Sequence, residues 1–269
     1  MKSPRLWLLL FVLAVPIPGQ AETLILIQGY LGDAQTWRSN GITKALHEGG
    51  WRDGGHLYRT HQGVAGQRPG KSPRRMYTIE LPTEAPLAVQ AGWIGDYVRA
   101  AQAWHPGESL ILIGHSAGGV AARLFMVEHA DTAVSALVTI ASPHLGTDIA
   151  ALGESVANSP IGWFAGMLGE KRLQRGAALF RDLSPEQPGN LLFWLNRQPH
   201  PNARYVSIVR AQGGLFGAND KIVPPYAQDM NNVAALRGRA QSIASKGDHL
   251  LDVQEGRELV RLLNSLLAA

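Results

Sequence analysis

The sequence predicts an α/β fold, in which a mainly parallel sheet is covered by helices on both faces. The 269 residues are 45% apolar and 17% charged, as in an ordinary folded domain. Short apolar runs rich in Leu, Ile and Val alternate with longer amphipathic stretches. Such runs are typical of strands buried on both faces, and parallel strands need helical crossovers between them. We find no internal repeat.

The predicted elements alternate regularly along most of the chain. Strands are expected over 23–28, 76–81, 110–113, 136–141, 205–209 and 241–244, and helices over 38–50, 85–104, 120–130 and 253–267. The alternation breaks over 145–202, which is too long for an ordinary connection. This segment is therefore expected to be an insertion into the domain formed by residues 22–269.

The first 21 residues have the pattern of a secretory signal peptide. Lys2 and Arg5 precede an unbroken apolar run over 6–15, and prolines and small residues lead up to Ala21. We therefore expect cleavage near Ala21 and export to the periplasm or the medium. The alternative is an uncleaved membrane anchor, but a ten-residue apolar run is short for a stable span.

The charge and composition exclude several classes of function. The formal net charge is +4, and loss of Lys2 and Arg5 would leave +2, so the chain lacks the basic footprint of a nucleic-acid-binding protein. The densest basic segment, RPGKSPRR at 68–75, is interpreted as a solvated loop, with a transient contact to anionic lipid headgroups as the alternative. The absence of cysteine excludes disulfides, thiolate nucleophiles and cysteine-ligated metals.

The most informative segment is GHSAGG at 114–119. It fits G-x-S-x-G with a further glycine, and it lies between strand 110–113 and helix 120–130. A serine on so tight a turn is exposed and strained, and its neighbours must be small for the turn to close. Ser116 is therefore the candidate nucleophile. The alternative is a glycine-rich turn without chemistry, which the flanking strand and helix disfavour.

A nucleophilic serine needs a base, and the base needs an orienting carboxylate. In this architecture the chain order is serine, acid, histidine, with each at the carboxyl end of a strand. Asp220 follows strand 205–209 and is favoured over Asp182, which precedes that strand, and Asp229, which is expected inside a helix. His249 follows the last strand and is the candidate base.

A tetrahedral oxyanion requires two backbone N–H donors. One is expected from Ala117, the residue after the nucleophile. The other is expected from the loop after the first strand, where Gly29 lets the backbone come close and Tyr30 is the favoured donor.

These motifs resemble the α/β-hydrolase superfamily, and within it bacterial lipase- and esterase-like serine hydrolases. The matching segments are TLILIQGY at 23–30, GHSAGG at 114–119, ASPHLGT at 141–147, NDKIVPP at 219–225 and GDHL at 247–250. The resemblance implies the α/β-hydrolase fold, a small-molecule ester or lipid substrate and no cofactor. Because a similar Ser-Pro-His segment leads into the lid of true lipases, it also implies a helical lid or cap over 145–202. The alternative is that the apolar residues of this insertion pack on the core.

Three residues near the expected site are candidates for supporting contacts. Gln28 stands where the family usually has histidine, which should not abolish catalysis because the expected donor is a backbone N–H. His115 precedes the nucleophile. His144 is either a spare base or, as we favour, a residue that fixes its own turn by hydrogen bonding. Some relatives bind calcium near the histidine loop, but the spacing of the aspartates here does not match, so we expect no metal.

The sequence thus predicts an exported serine hydrolase that cleaves carboxylic esters with apolar acyl groups through an acyl-enzyme. A thioesterase, amidase or acyltransferase on the same fold is the alternative. A non-catalytic binding protein is disfavoured by the complete serine, aspartate and histidine set.

Overall fold

A computed structural model describes residues 21–68, 70, 72–148, 175–211 and 220–268. Its strands are β1 (Glu22–Ile27), β2 (Arg52–Thr60), β3 (Gly63–Ala65), β4 (Arg74–Ile79), β5 (Ser109–His115), β6 (Val134–Ile140), β7 (Arg204–Arg210) and β8 (Ala240–Ser245). Its helices are α1 (Thr36–Ser39), α2 (Ile42–Glu48), α3 (Leu87–Trp104), α4 (Ala117–Glu128), α5 (Leu191–Leu195), α6 (Pro225–Gln228) and α7 (Val253–Ala268). Residues 175–182 are also helical.

The strands form one sheet in the order β3-β2-β4-β1-β5-β6-β7-β8. All neighbouring strands are parallel except β2 and β3, which are antiparallel. The predicted, mainly parallel sheet is therefore confirmed. Because parallel strands end at the same edge, the loops after β1, β5, β7 and β8 meet there.

The central strands β1, β5, β6 and β7 are buried on both faces, which explains why they are largely apolar. In β1, Leu24 and Leu26 belong to the core beneath α2 and α7, whereas Ile25 and Ile27 belong to the core beneath α3 and α4. Strand β5 divides its side chains between the two cores in the same way. A sheet with helices on both sides is the arrangement that such strands require.

Two parts of the chain differ from the predicted elements. The helix expected over 38–50 is two helices, α1 and α2, separated at Gly41 with φ +73°. The hairpin of β2 and β3 was not predicted, because its charged residues and glycines disfavour a strand. Gly54 is nevertheless required in β2, since a Cβ there would lie 2.4 Å from Cε1 of Tyr77.

The interpretation of segment 68–75 as a solvated loop is wrong for its last two residues. Arg74 and Arg75 begin β4, and Arg75 is only 4% exposed. Its guanidinium lies 2.9 Å from the Glu108 carboxylate. Arg75 is buried because it has this partner, so it is unavailable to a lipid headgroup.

Two predicted segments fall partly beyond the described residues. The expected signal peptide over 1–21 lies outside them except for Ala21, as do residues 149–174 of the expected insertion. Among the helices that the structure describes, none has both the length and the apolar character needed to cross a bilayer.

Candidate active site

Ser116 lies on a strained turn between β5 and α4. Its backbone has φ +51° and ψ −130°, a conformation that residues with a Cβ rarely adopt. The adjacent glycines are sterically required. A Cβ on Gly114 would lie 2.4 Å from Cα of Gly119, and one on Gly118 would lie 2.2 Å from the carbonyl oxygen of Gln28. The expected strand-turn-helix geometry is therefore present.

The side chains of Ser116, His249 and Asp220 form a continuous hydrogen-bonded chain. His249 Nε2 lies 2.8 Å from Ser116 Oγ, and His249 Nδ1 lies 2.8 Å from Asp220 Oδ2. An ionised carboxylate can only accept, so Nδ1 carries the proton of the neutral ring. The bare Nε2 then accepts from the serine hydroxyl, which is the tautomer that a general base requires.

The Asp220 carboxylate is buried and fully compensated by donors. Its Oδ1 accepts from the backbone N–H groups of Ile222 at 2.8 Å and Val223 at 3.0 Å. Its Oδ2 accepts from Gln228 Nε2 at 3.0 Å as well as from His249. Four donors on one side chain that is 0% exposed offset the cost of burying an ionised group.

The competing acids make local contacts elsewhere. Asp182 Oδ2 accepts from the Leu87 N–H at 2.8 Å, at the first residue of α3. Asp229 Oδ1 accepts from the Asn231 N–H at 2.8 Å, in the turn after α6. The structure therefore brings Asp220, rather than either competitor, to His249.

The loop that carries Tyr30 lies against the nucleophile. A turn is closed by the Gly32 N–H, which donates to the Gly29 carbonyl at 3.0 Å. A Cβ on Gly29 would lie 2.7 Å from Cβ of Ser116, so only glycine allows this approach. Ala117 is the first residue of α4, where backbone N–H groups have no acceptor within the helix and the dipole favours negative charge.

Two further predicted residues are buried beside these loops. His115 Nε2 lies 2.8 Å from the carbonyl oxygen of His249, and burial lowers the pKa of His115 to about 3. Gln28 is fully buried, and neither of its amide atoms has a partner among the described residues. The main chain of Gln28 lies close to Gly118, where a Cβ would be 2.2 Å from the Gln28 carbonyl oxygen.

His144 makes the contacts of a turn residue. Its N–H donates to the Ala227 carbonyl at 2.8 Å, and its Nε2 lies 3.1 Å from Oγ1 of Thr139. The side chain is fully buried, and burial holds its pKa well below the usual value. These contacts fit the favoured interpretation of His144.

Sequence reasoning missed a set of polar residues behind the site. Gln228 contacts Asp220, and Arg210 pairs with Glu255 at 2.7 Å and donates to Ser245 Oγ at 2.7 Å. The arginine and glutamate are almost fully buried. No local sequence signal identifies them, because the partners come from four separate elements.

No group of three or more metal-ligating side chains occurs in the part of the chain that the structure describes. Near the histidine loop, Asp248 Oδ1 accepts from the Leu250 N–H at 2.9 Å, and Asp252 Oδ1 accepts from the Gln254 N–H at 2.6 Å. Each of these aspartates thus accepts a hydrogen bond from a backbone N–H of its own turn.

A mainly parallel sheet with a strained serine turn after β5 defines an α/β-hydrolase fold. The PGAP1-like alpha/beta domain family matches residues 86–156, which include α3, the serine turn and β6. No curated protein sequence matches the chain. The predicted resemblance to the α/β-hydrolases and the predicted fold class are confirmed.

Solved structures with this fold include bacterial hydrolases. Bacillus licheniformis lipase BlEst2 in its mature form is 18% identical, with 94% of both chains covered and a TM-score of 0.61. A putative cell surface hydrolase from Lactobacillus plantarum WCFS1 is 18% identical, covers 93% of this chain and 92% of its own, and has a TM-score of 0.56. The metagenomic carboxyl esterase MGS0156 is 15% identical and has a TM-score of 0.53, and the match covers 86% of this chain and 65% of the esterase chain. At these identities the similarity establishes the fold.

Proposed function

We propose that the chain is a serine hydrolase that cleaves carboxylic esters with apolar acyl groups. The observation that carries this proposal is the chain of two 2.8 Å contacts from Ser116 through His249 to Asp220. A buried carboxylate, an imidazole of the correct tautomer and a serine on a strained turn are the parts that nucleophilic catalysis needs. The lipase and carboxyl esterase among the structural neighbours support an ester as the substrate.

In the proposed reaction, Ser116 Oγ attacks the ester carbonyl while His249 Nε2 takes the hydroxyl proton. Asp220 keeps the imidazole oriented and stabilises the imidazolium. The N–H groups of Tyr30 and Ala117 bind the oxyanion. His249 then gives its proton to the leaving alcohol, which leaves an acyl-enzyme. A water molecule deprotonated by His249 attacks the acyl group, and the carboxylic acid departs as Ser116 regains its proton.

We propose further that the insertion over 145–202 caps the acyl-binding side of the site. Support comes from the described helical residues 175–182. The ring of Phe180 meets the ring of Tyr30 edge-on at 4.9 Å, and Arg175 pairs with Glu84 at 2.7 Å. An aromatic wall beside the proposed oxyanion loop suits an apolar acyl chain.

We also propose that the enzyme acts after export and cleavage near Ala21. Strand β1 begins at Glu22, directly after the proposed cleavage point. The strands that the structure describes therefore all begin after the proposed cleavage point.

The test compares hydrolysis of p-nitrophenyl esters of increasing chain length, together with labelling by a fluorophosphonate probe. The wild type should turn over esters and label. The Ser116→Ala variant should not label and should lose about 10⁴-fold or more in kcat. Ser39→Ala is the matched control, because that serine lies on α1 and bonds only locally to Thr36. Equal rates for wild type and Ser116→Ala would contradict the proposal. Matching thioester and amide donors test the other acyl-transfer reactions.

A further inference from the structure

We propose that Gln228 is a positioning residue. Its side-chain amide holds the Asp220 carboxylate in the orientation in which Oδ2 accepts a hydrogen bond from His249. This inference rests on the proposed function, because it assigns a role within the same site. Gln228 ends α6 and is only 1% exposed.

The orientation of the Gln228 amide is fixed by its partners. The Arg210 backbone N–H lies 2.8 Å from Gln228 Oε1, and a backbone N–H can only donate. The oxygen of the amide must therefore face Arg210. The nitrogen faces the other way, where Nε2 donates to Asp220 Oδ2 at 3.0 Å and to the Val223 carbonyl at 2.7 Å. Oxygen and nitrogen both have partners, so the buried amide has little freedom to rotate.

The contact falls on the oxygen that matters for the proposed reaction. Asp220 Oδ2 accepts from both Gln228 and His249, while Oδ1 accepts from the two backbone N–H groups of Ile222 and Val223. The terminal torsion of an aspartate is broad, so the backbone contacts on one oxygen leave the carboxylate plane loosely defined. A donor on Oδ2 fixes that plane, and a fixed plane keeps the imidazole aligned with the serine.

Gln228 also connects the acid loop to the rigid part of the sheet. Its oxygen is bound by the last residue of β7, Arg210. The Arg210 guanidinium in turn contacts Ser245 at the end of β8 and Glu255 on α7. The loop that carries His249 begins directly after Ser245. One buried network therefore holds both the acid and the base to neighbouring strand ends.

The charged and titratable groups around the amide favour a neutral side chain at position 228. Asp220 and His249 lie on one side, and Arg210 with its partner Glu255 lies on the other. His115, which contacts the His249 backbone, is buried and uncharged at neutral pH because burial lowers its pKa to about 3. A glutamine supplies two N–H donors and one acceptor here without adding a charge.

The test replaces Gln228 by Met, which keeps the length of the side chain and removes the donor. The matched control is Gln90→Met, because Gln90 is equally buried and its Nε2 donates only to backbone carbonyls, the nearer at 2.8 Å on Ala85. Gln228→Met should lower kcat about 10- to 100-fold with little change in KM, as expected for loss of a hydrogen bond to a charged group. Gln90→Met should leave kcat unchanged.

Two further readouts separate positioning from a merely structural role. In Gln228→Met, Asp220 loses a donor and holds the His249 imidazolium more tightly, so the acid limb of the kcat/KM profile should move to higher pH. The low-field proton resonance of His249 Nδ1–H should also shift. In the unaltered protein, that proton and a side-chain amide proton of Gln228 share Oδ2, so they should give a through-space NMR cross-peak. This measurement needs no variant to fold.

The outcomes distinguish this inference from the proposed function. If the wild type is active and Gln228→Met keeps the wild-type kcat, pH profile and His249 proton resonance, the positioning role alone is overturned. A missing cross-peak in the active wild type does the same. A wild type whose turnover survives Ser116→Ala overturns both proposals.

Discussion

The imidazole of His115 is hydrogen-bonded to the main chain of His249, with Nε2 lying 2.8 Å from the carbonyl oxygen. A carbonyl can only accept, so Nε2 of His115 carries the proton. The ring stays neutral because burial and the neighbouring His249 lower the pKa of His115 to about 3. The residue before the proposed nucleophile therefore holds the backbone of the proposed base.

Removing this donor should weaken catalysis without removing a reacting group. His115→Leu should lower kcat/KM about tenfold, which corresponds to the net contribution of one hydrogen bond. His115→Gln should stay close to the wild type, because a glutamine can place an N–H near the position of Nε2. Steady-state ester kinetics on both variants measures the difference. Equal losses of kcat/KM in His115→Leu and His115→Gln would show that the hydrogen bond to the His249 carbonyl does not cause the loss.

A methyl group on Gly29 should displace the proposed oxyanion loop. A Cβ there would lie 2.7 Å from Cβ of Ser116 and 3.0 Å from the His115 carbonyl oxygen. Gly29→Ala should lower kcat by about 10² to 10³, the usual cost of losing one oxyanion donor. Gly92→Ala is the control, since that exposed glycine within α3 has nothing within 4 Å. The control should keep full activity and gain up to about 1 kcal/mol of stability.

Removing the charge of one partner of the buried Arg210–Glu255 ion pair should greatly lower the free energy of unfolding. The two groups lie 2.7 Å apart and are 0% and 2% exposed. Glu255→Gln leaves a buried arginine without its counter-charge and should lower the free energy of unfolding by about 3–5 kcal/mol. The exposed Arg99 on α3, which pairs with Asp96, offers the comparison, and Arg99→Met should change stability by less than about 0.5 kcal/mol. Urea unfolding measures the free energy of unfolding of both variants. Similar losses of stability in Glu255→Gln and Arg99→Met would contradict the prediction.

Buried neutral histidines should make the fold less stable in mild acid. Burial lowers the pKa of His115 to about 3 and that of His200 to about 4, whereas an unfolded histidine titrates near 6.5. Between these values the unfolded state binds more protons, so stability falls as the pH decreases from about 6.5 towards 4. Each such histidine contributes up to about 1.4 kcal/mol per pH unit.

The measurement is the urea midpoint at pH 7.5 and pH 5, in the wild type and in His200→Asn. Asparagine can keep the bond that His200 Nδ1 donates to the Gln198 carbonyl at 2.8 Å. The variant should therefore fold, and it should lose less stability between the two pH values. An identical pH dependence in both proteins would refute the assignment of His200 as a source of the effect.

The sequence predicts most of the sheet and the three side chains of the candidate site, because their signals are local. The turn around Ser116 needs small neighbours within a few residues, and the strands flanking it need apolar runs. Asp220 and His249 follow from chain order and strand ends. The last two inferences start from Ser116 and use only positions along the chain, without any contact seen in three dimensions.

The missed features depend on contacts between residues far apart in the chain. Arg75 is buried because Glu108 lies beside it, and β2 is a strand because β4 offers it an edge to pair with. Gln228 fits no motif, and its role follows only from the carboxylate and backbone amide on either side of it. A single sequence gives no sign that such partners will meet.

The parallel order of the strands has a consequence for how the protein refolds. Ser116 and His249 are 133 residues apart in the chain, and their meeting requires β5 through β8 to be correctly aligned. Contacts of such long sequence separation form late, because the entropy of closing the loop must be overcome first. Recovery of ester turnover after dilution from denaturant should therefore lag behind the return of helical circular dichroism, making hydrolysis a sensor of the last stage of assembly.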